Sequence, residues 1–162
     1  MLTHERLKQV LHYDPSSGRW TRMFCYQSRM VGEEAGSIHP KGYRYLKVDG
    51  VSYKSNRLAF FYMTGEWPSD QIDHENLGRA DDKWENLREA TQSQNKANCN
   101  AYKTNKSGFK GVYFSTHKRR WVASIQVNKK RINLGAFDSP ESASEAYALA
   151  AEEHFGQFAR AQ

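Results

Sequence analysis

The chain has 162 residues, 38% of them hydrophobic and 13% aromatic, with a formal net charge of +6. That is enough apolar material for one domain or two small ones, and it excludes disorder throughout. No apolar run is long enough to span a bilayer and the N-terminus lacks a signal-peptide pattern, so membrane and secreted proteins are set aside and a cytoplasmic location is expected.

In chain order, "LTHERLKQVLHYD" places Leu2, Leu7, Val10 and Leu11 at helical spacing with Thr3 as N-cap, and "PSSGRW" follows as a turn. "GYRYLKVDGVSYKSN" reads as two strands joined by Asp49-Gly50, a two-residue hairpin signal. "NRLAFFYMTGEWP" predicts a short apolar helix ended by Gly65 and Pro68. The two cysteines, Cys25 and Cys99, form no C-x-x-C pair, which argues against a cysteine-built zinc site and suits a reducing compartment.

The stretch "IDHENLGRADDKWENLREATQSQN", residues 72–95, carries the candidate chemistry. Hydrolysis of a phosphodiester needs a base for water and a cation beside the phosphate. Asp73 offers a hard anionic oxygen suited to Mg2+ or Mn2+, an asparagine carbonyl is a neutral hard ligand, and His74 can accept a proton near neutral pH. Neighbours on a strand point to opposite faces, so Asp73 and His74 serve one site only where the strand ends or distorts. The alternative is a solvated loop histidine beside an aspartate. "LREA" reads as a short strand, and Thr91 with Gln94 forms a capping box that opens a helix. Asn86 then falls at the strand entry and Asn95 early in the helix.

Residues 98–108, "NCNAYKTNKSG", are polar and read as a linker. "FKGVYFS", "WVASIQV" and "RINLGAF" predict three strands, and "DSPESASEAYALAAEEHFG" a helix with Ser139 at the N-cap and Pro140 at N1. Trp121, Ala123, Ile125, Ile132 and Leu134 would face that helix by period-two alternation. The other face carries Tyr113, Ser115, Ser124, Gln126, Arg131 and Asn133. Residues 101–137 hold nine Lys or Arg and no acid, whereas residues 1–100 are near neutral. A basic stretch interleaved with aromatic residues reads as a polyanion-binding surface, against the alternative of a solvated charged face.

Residues 2–98 resemble the HNH endonuclease ββα-metal motif in the form found in phage homing and nicking endonucleases, with an Asp-His pair, a middle Asn and a helical Asn. The resemblance extends upstream through "LKQVLHYDPSSGRW", "GYRYLKVDG" and "NRLAFFYMTGEWP". It implies that Asp73 and Asn95 bind one divalent ion, Mg2+ or Mn2+. His74 would be the general base, and Asn86 would hold the loop and orient that base. Relatives commonly carry His-Arg-Leu where this chain has Asn56-Arg57-Leu58, and Asp-Asn-Arg where it has Asp81-Asp82-Lys83. Arg57 could contact a phosphate or lie on the surface, and the sequence gives Asp82 no explanation.

Residues 108–160 resemble the plant APETALA-two/ethylene-response-factor DNA-binding domain through the landmarks G-V, W-V-A-x-I, L-G-x-F and A-Y-x-x-A-A. That resemblance implies DNA contacts for Lys110, Tyr113, Ser115, Ser124, Gln126, Arg131 and Asn133, with Lys118, Arg119 and Arg120 gripping phosphate and Lys129 and Lys130 in a flanking basic turn.

The expected architecture is α+β. An HNH nuclease domain spans 1–98, a linker 99–107, and a three-stranded antiparallel sheet packed on one helix 108–162. The expected activity is metal-dependent cleavage of double-stranded DNA by a homing-type enzyme, as nicking by a monomer or double-strand cleavage by a dimer. A DNA-binding regulator with a decayed nuclease domain is the alternative.

Overall fold

The computed structural model describes residues 1–24, 31–102 and 104–160; Cys25 and Lys103 lie outside the described residues. By their internal contacts the residues form two units, Met1–Ala90 and Thr91–Gln162. The helix that follows residue 91 is thus grouped with the second unit, ahead of the boundary at 98 drawn from composition. The mixture of helices and antiparallel strands is α+β, as expected. Among the described residues no helix is long and apolar enough to cross a membrane.

The first unit opens with α1 (His4–Val10), whose N-cap Thr3 accepts the Arg6 amide at 3.2 Å. The expected helix over Leu11–Asp14 is corrected: that segment is β1 (Leu11–Asp14), antiparallel to β2 (Arg19–Arg22). Leu11 and Tyr13 turn inward while His12 turns out, a period of two that is too short to separate from helical spacing by pattern alone. The hydroxyls of Ser17 and Ser16 and the Ser16 amide donate to the Asp14 carboxylate. These bonds close the Pro15–Gly18 turn and hold the Asp14 pKa at about 2.

Next come β3 (Ser37–Ile38), β4 (Arg44–Val48) and β5 (Val51–Lys54), in the sheet order β3-β4-β5. Asp49 and Gly50 both have positive φ, 46° and 84°, the backbone that the two-residue hairpin requires. The apolar helix α2 (Ser55–Thr64) ends at Gly65, whose φ of 80° is the left-handed cap. It packs on α1, β4, β5 and β6 (Gln71–His74), the last paired antiparallel with β7 (Leu87–Ala90). Leu7, Tyr13, Trp20, Leu46 and Leu58 are each 2% exposed or less, and burial of each large side chain contributes roughly 1.5–3 kcal/mol. Trp20 donates its ring N–H to the Ser55 hydroxyl at 2.9 Å, so even the largest core residue leaves no donor unpaired.

The second unit contains α3 (Gln92–Ala97), β8 (Val112–Ser115), β9 (Arg120–Val127), β10 (Lys130–Phe137) and α4 (Pro140–Phe155). The predicted capping box is present: Gln94 N–H donates to the Thr91 hydroxyl at 3.2 Å, and Thr91 N–H to the Gln94 side chain at 2.8 Å. The sheet order is β10-β9-β8, and α4 covers all three strands with Ala143, Tyr147, Ala150 and Ala151 buried. Helix and sheet approach so closely that a Cβ at Gly111 would overlap the Tyr147 ring. Ile132, expected to face the helix, is 36% exposed because it lies on the edge strand, and the register shifts at the Asn133–Gly135 bulge.

Candidate active site

β6 ends at His74: Leu77 N–H donates to the His74 carbonyl and Glu75 N–H to the Asn86 carbonyl, both at 3.0 Å. This strand end is what two adjacent functional side chains require, and both Asp73 and His74 are buried, 4% and 5% exposed. On the facing strand Arg88 stands opposite Asp73 and donates from Nε to its Oδ2 at 3.1 Å. A second Arg88 nitrogen lies 3.9 Å from Glu75. Asp73 is therefore a charge-matched carboxylate inside the hairpin.

The His74 ring is held by a residue whose role the sequence left open. Nε2 of His74 lies 2.8 Å from Oδ1 of Asp82, a carboxylate only 1% exposed. Asn86 bonds to the loop: Oδ1 accepts the Asn76 amide at 3.0 Å and Nδ2 donates to the Asp81 carbonyl at 2.7 Å. The ring contact goes to Asp82 instead. Asp82 is fixed from behind by the β1–β2 hairpin. Tyr13 donates its hydroxyl to the Asp82 carbonyl at 2.6 Å, and Trp84 N–H donates to the Pro15 carbonyl at 2.9 Å. Burial, and then the carboxylates of Asp82 and Asp14, push the Tyr13 hydroxyl pKa well above its usual range, so it stays a donor.

The departure at Asn56 also has a structural role. Buried at the start of α2, it donates to the Ile72 carbonyl at 3.0 Å, in the residue before Asp73, and accepts the Arg57 amide at 2.9 Å. Arg57 turns to the backbone, donating to the carbonyls of Asp70 (2.6 Å) and Pro68 (3.3 Å). On the side of the Tyr43 ring, whose centroid is 6.1 Å from that of His74, Lys54 and Arg79 supply cations at 4.7 and 5.3 Å from the Tyr43 centroid. Sequence reasoning missed Asp82, Arg88, Tyr43, Lys54 and Arg79. The signal for Arg88 was its place opposite Asp73 in a hairpin register; the other four depend on long-range packing.

Asn95 sits within α3, where its N–H donates to the Thr91 carbonyl at 2.9 Å. Among the described residues no three His, Cys, Asp or Glu side chains converge as a metal-binding group. Asp73 offers a hard anionic oxygen of the kind Mg2+ takes, and Arg88 already bonds to it.

In the second unit the pairs Gln126 with Arg131 and Ser124 with Asn133 put these four residues on one sheet face, together with Tyr113 and Ser115 on β8. Arg131 donates to the Ser124 hydroxyl at 3.0 and 2.9 Å and lies 5.3 Å from the Tyr113 ring centroid. The bulge is closed by Gly135 N–H donating to Asn133 Oδ1 at 3.0 Å. Lys118, Arg119 and Lys129 are exposed in the turns, and Lys130 is exposed at the start of β10. Arg120 pairs with Asp138 at 2.7 Å in an exposed ion pair. Lys110 points elsewhere than expected: its ammonium donates to the carbonyls of Ala97, Cys99 and Arg160, and burial lowers its pKa to about 8. A cavity of about 450 Å³ is lined by Ser124, Gln126 and Arg131 together with Lys96 and Tyr102, so one end of the face borders a recess.

The HNH endonuclease family model matches residues 53–97, from β5 through α2, β6 and β7 to α3. Protein 3.8 of Escherichia phage T7 is 34% identical over 89 residues, which cover 55% of this chain and 73% of that protein. No solved structure matches. The strand-end histidine, the loop held by Asn86 and these matches agree: the chain belongs to the family of phage T7 Protein 3.8 and carries an HNH endonuclease domain at residues 53–97.

Proposed function

We propose that this chain is a metal-dependent DNA endonuclease of the homing or nicking type, whose first unit cuts and whose second unit reads the DNA. The observation that carries the cutting role is His74, buried at a strand end beside Asp73 with its ring held at Nε2 by Asp82. In this reading His74 removes a proton from water, and the water oxygen attacks phosphorus in line with the departing 3′ oxygen. The P–O3′ bond breaks, leaving a 5′-phosphate and a 3′-hydroxyl once water protonates the leaving oxygen. Asp73 and Asn95 are the proposed ligands of one Mg2+ or Mn2+, which when bound would neutralise charge on the phosphate and on the departing oxygen. Asn86 keeps the 76–81 loop in place, and Lys54 and Arg79 beside Tyr43 are suited to neighbouring phosphates.

The reader role is supported by the polar sheet face of Tyr113, Ser115, Ser124, Gln126, Arg131 and Asn133, flanked by exposed basic turns. A sheet can enter the major groove and present such groups to base edges. Lys118, Arg119, Lys129 and Lys130 would hold phosphates. One cutting site per chain with a one-sided reader suits nicking by a monomer in the cytoplasm of a phage-infected host.

A second reading, a non-cutting DNA-binding regulator, is favoured by the Asp73–Arg88 pair, because that carboxylate already has a cation. A supercoiled plasmid assay separates the two. With Mg2+ or Mn2+ the chain should give nicked or linear product, EDTA should stop it, and His74→Ala should lower the rate by about 10²–10⁴-fold while still shifting DNA in a gel. A gel shift with no cut product in either metal would establish the regulator.

A further inference from the structure

We infer that Asp82 is a positioning residue for His74: its buried carboxylate fixes the orientation and tautomer of the imidazole that the proposed reaction uses. The inference rests on the nuclease reading of this site, and three observations carry it.

The first is the contrast between two neighbouring aspartates. Asp81 is partly exposed and accepts the Asn76 side chain at 2.7 Å, an ordinary loop bond. Asp82 is 1% exposed; Oδ1 meets His74, whereas Oδ2 is buried with no hydrogen-bond partner among the described residues. Burying a carboxylate is costly, and a carboxylate kept for stability would normally have both oxygens paired. Here the paired oxygen is the one on the imidazole.

The second is how firmly the Asp82 backbone is held. The Tyr13 hydroxyl and the Pro15 carbonyl grip residues 82 and 84 from a hairpin nearly seventy positions earlier in the chain. Gly18, with φ of +70°, approaches so closely that a Cβ there would lie 2.5 Å from the Asp82 carbonyl carbon. These contacts restrict where the carboxylate can go, so the ring it holds is restricted as well.

The third is the chemistry of the bond. In a neutral imidazole one nitrogen carries the proton, and the partner of that nitrogen selects which one it is. A carboxylate at Nε2 can only accept, so the proton stays on Nε2 and the basic lone pair is placed on Nδ1. Asp82 thus decides which nitrogen is the basic one, the logic by which an aspartate sets the tautomer of the histidine of a hydrolytic triad.

The test uses the full chain. Long-range 15N–1H spectra at alkaline pH, with His74→Gln to assign the signal, should show the Nε2–H tautomer in the wild type and a mixed or Nδ1–H state in Asp82→Ala. In the plasmid assay Asp82→Ala should lose about 10- to 100-fold in kcat with KM for DNA within about twofold. Asp82→Asn keeps an acceptor oxygen and should recover to within about tenfold of the wild type. It also serves as the informative variant if alanine unfolds the loop. An Nδ1–H tautomer in the wild type, or wild-type kcat and an unchanged tautomer in Asp82→Ala, would overturn the assignment while leaving the nuclease reading intact. A wild type that binds but never cuts, with the tautomer still set by Asp82, would fail the nuclease reading and keep the pair.

Discussion

The two units use their polar groups in opposite ways. In the first, Asp73, His74, Asp82, Asn86 and Asn56 are all buried, 7% exposed or less, and their bonds run to one another, to Arg88 or to nearby backbone. In the second, Tyr113, Gln126, Arg131 and Asn133 stand exposed on a sheet whose other face packs on α4. A proposed reaction centre needs side chains fixed before substrate arrives. A proposed reader needs groups that can still choose partners. The difference between the units is therefore one of commitment: polar side chains are buried and bonded in one and exposed to solvent in the other.

That contrast can be broken first where the locking is tightest. Gly18→Ala places a side chain on a left-handed backbone and into the Asp82 carbonyl group. The backbone strain alone should destabilise the first unit by about 1–3 kcal/mol. Each kcal/mol should lower the melting temperature by roughly 4–8 °C for a unit of this size. Cleavage should fall with it, because the Asp82–His74 bond depends on the same hairpin. A melt and a cleavage rate equal to the wild type would show that the hairpin does not hold the site.

The second unit should respond more gently and in binding rather than folding. Lys118→Ala with Arg119→Ala removes two exposed turn cations. Surface changes of this kind usually leave stability within about 0.5 kcal/mol. If both contact phosphate, the log–log salt slope of DNA binding should shrink by about 2. An unchanged slope would remove the turn from the DNA interface.

Much of this organisation is visible in the residues themselves. Asp49-Gly50, the Thr91–Gln94 box, Ser139-Pro140 and the Gly65 cap each act through neighbours a few positions away, so sequence alone places them. The candidate pair Asp73 and His74 was legible from local order and from resemblance. The rest depends on contacts that local pattern does not encode. β1 looked helical because Leu11 continues the helical spacing of Leu7 and Val10, while its own alternation with Tyr13 spans only four residues. Asp82 was opaque because its partners, His74 and Tyr13, lie 8 and 69 positions away. The resemblance gives Lys110 a DNA contact, and Arg57 could meet a phosphate or lie on the surface, because a basic residue shows its charge but not its direction. Backbone carbonyls take both.

The central claim is a division of labour, in which the buried unit cuts and the exposed sheet chooses where. Its most direct test is to map cut positions on both strands of a genome-scale DNA, comparing the wild type with Gln126→Ala and Arg131→Ala combined. The account predicts unchanged end chemistry, with a 5′-phosphate at each cut, and a marked loss of site preference, about 1–3 kcal/mol of discrimination for each base contact removed. The same cut positions at the same relative frequencies in both proteins would contradict it.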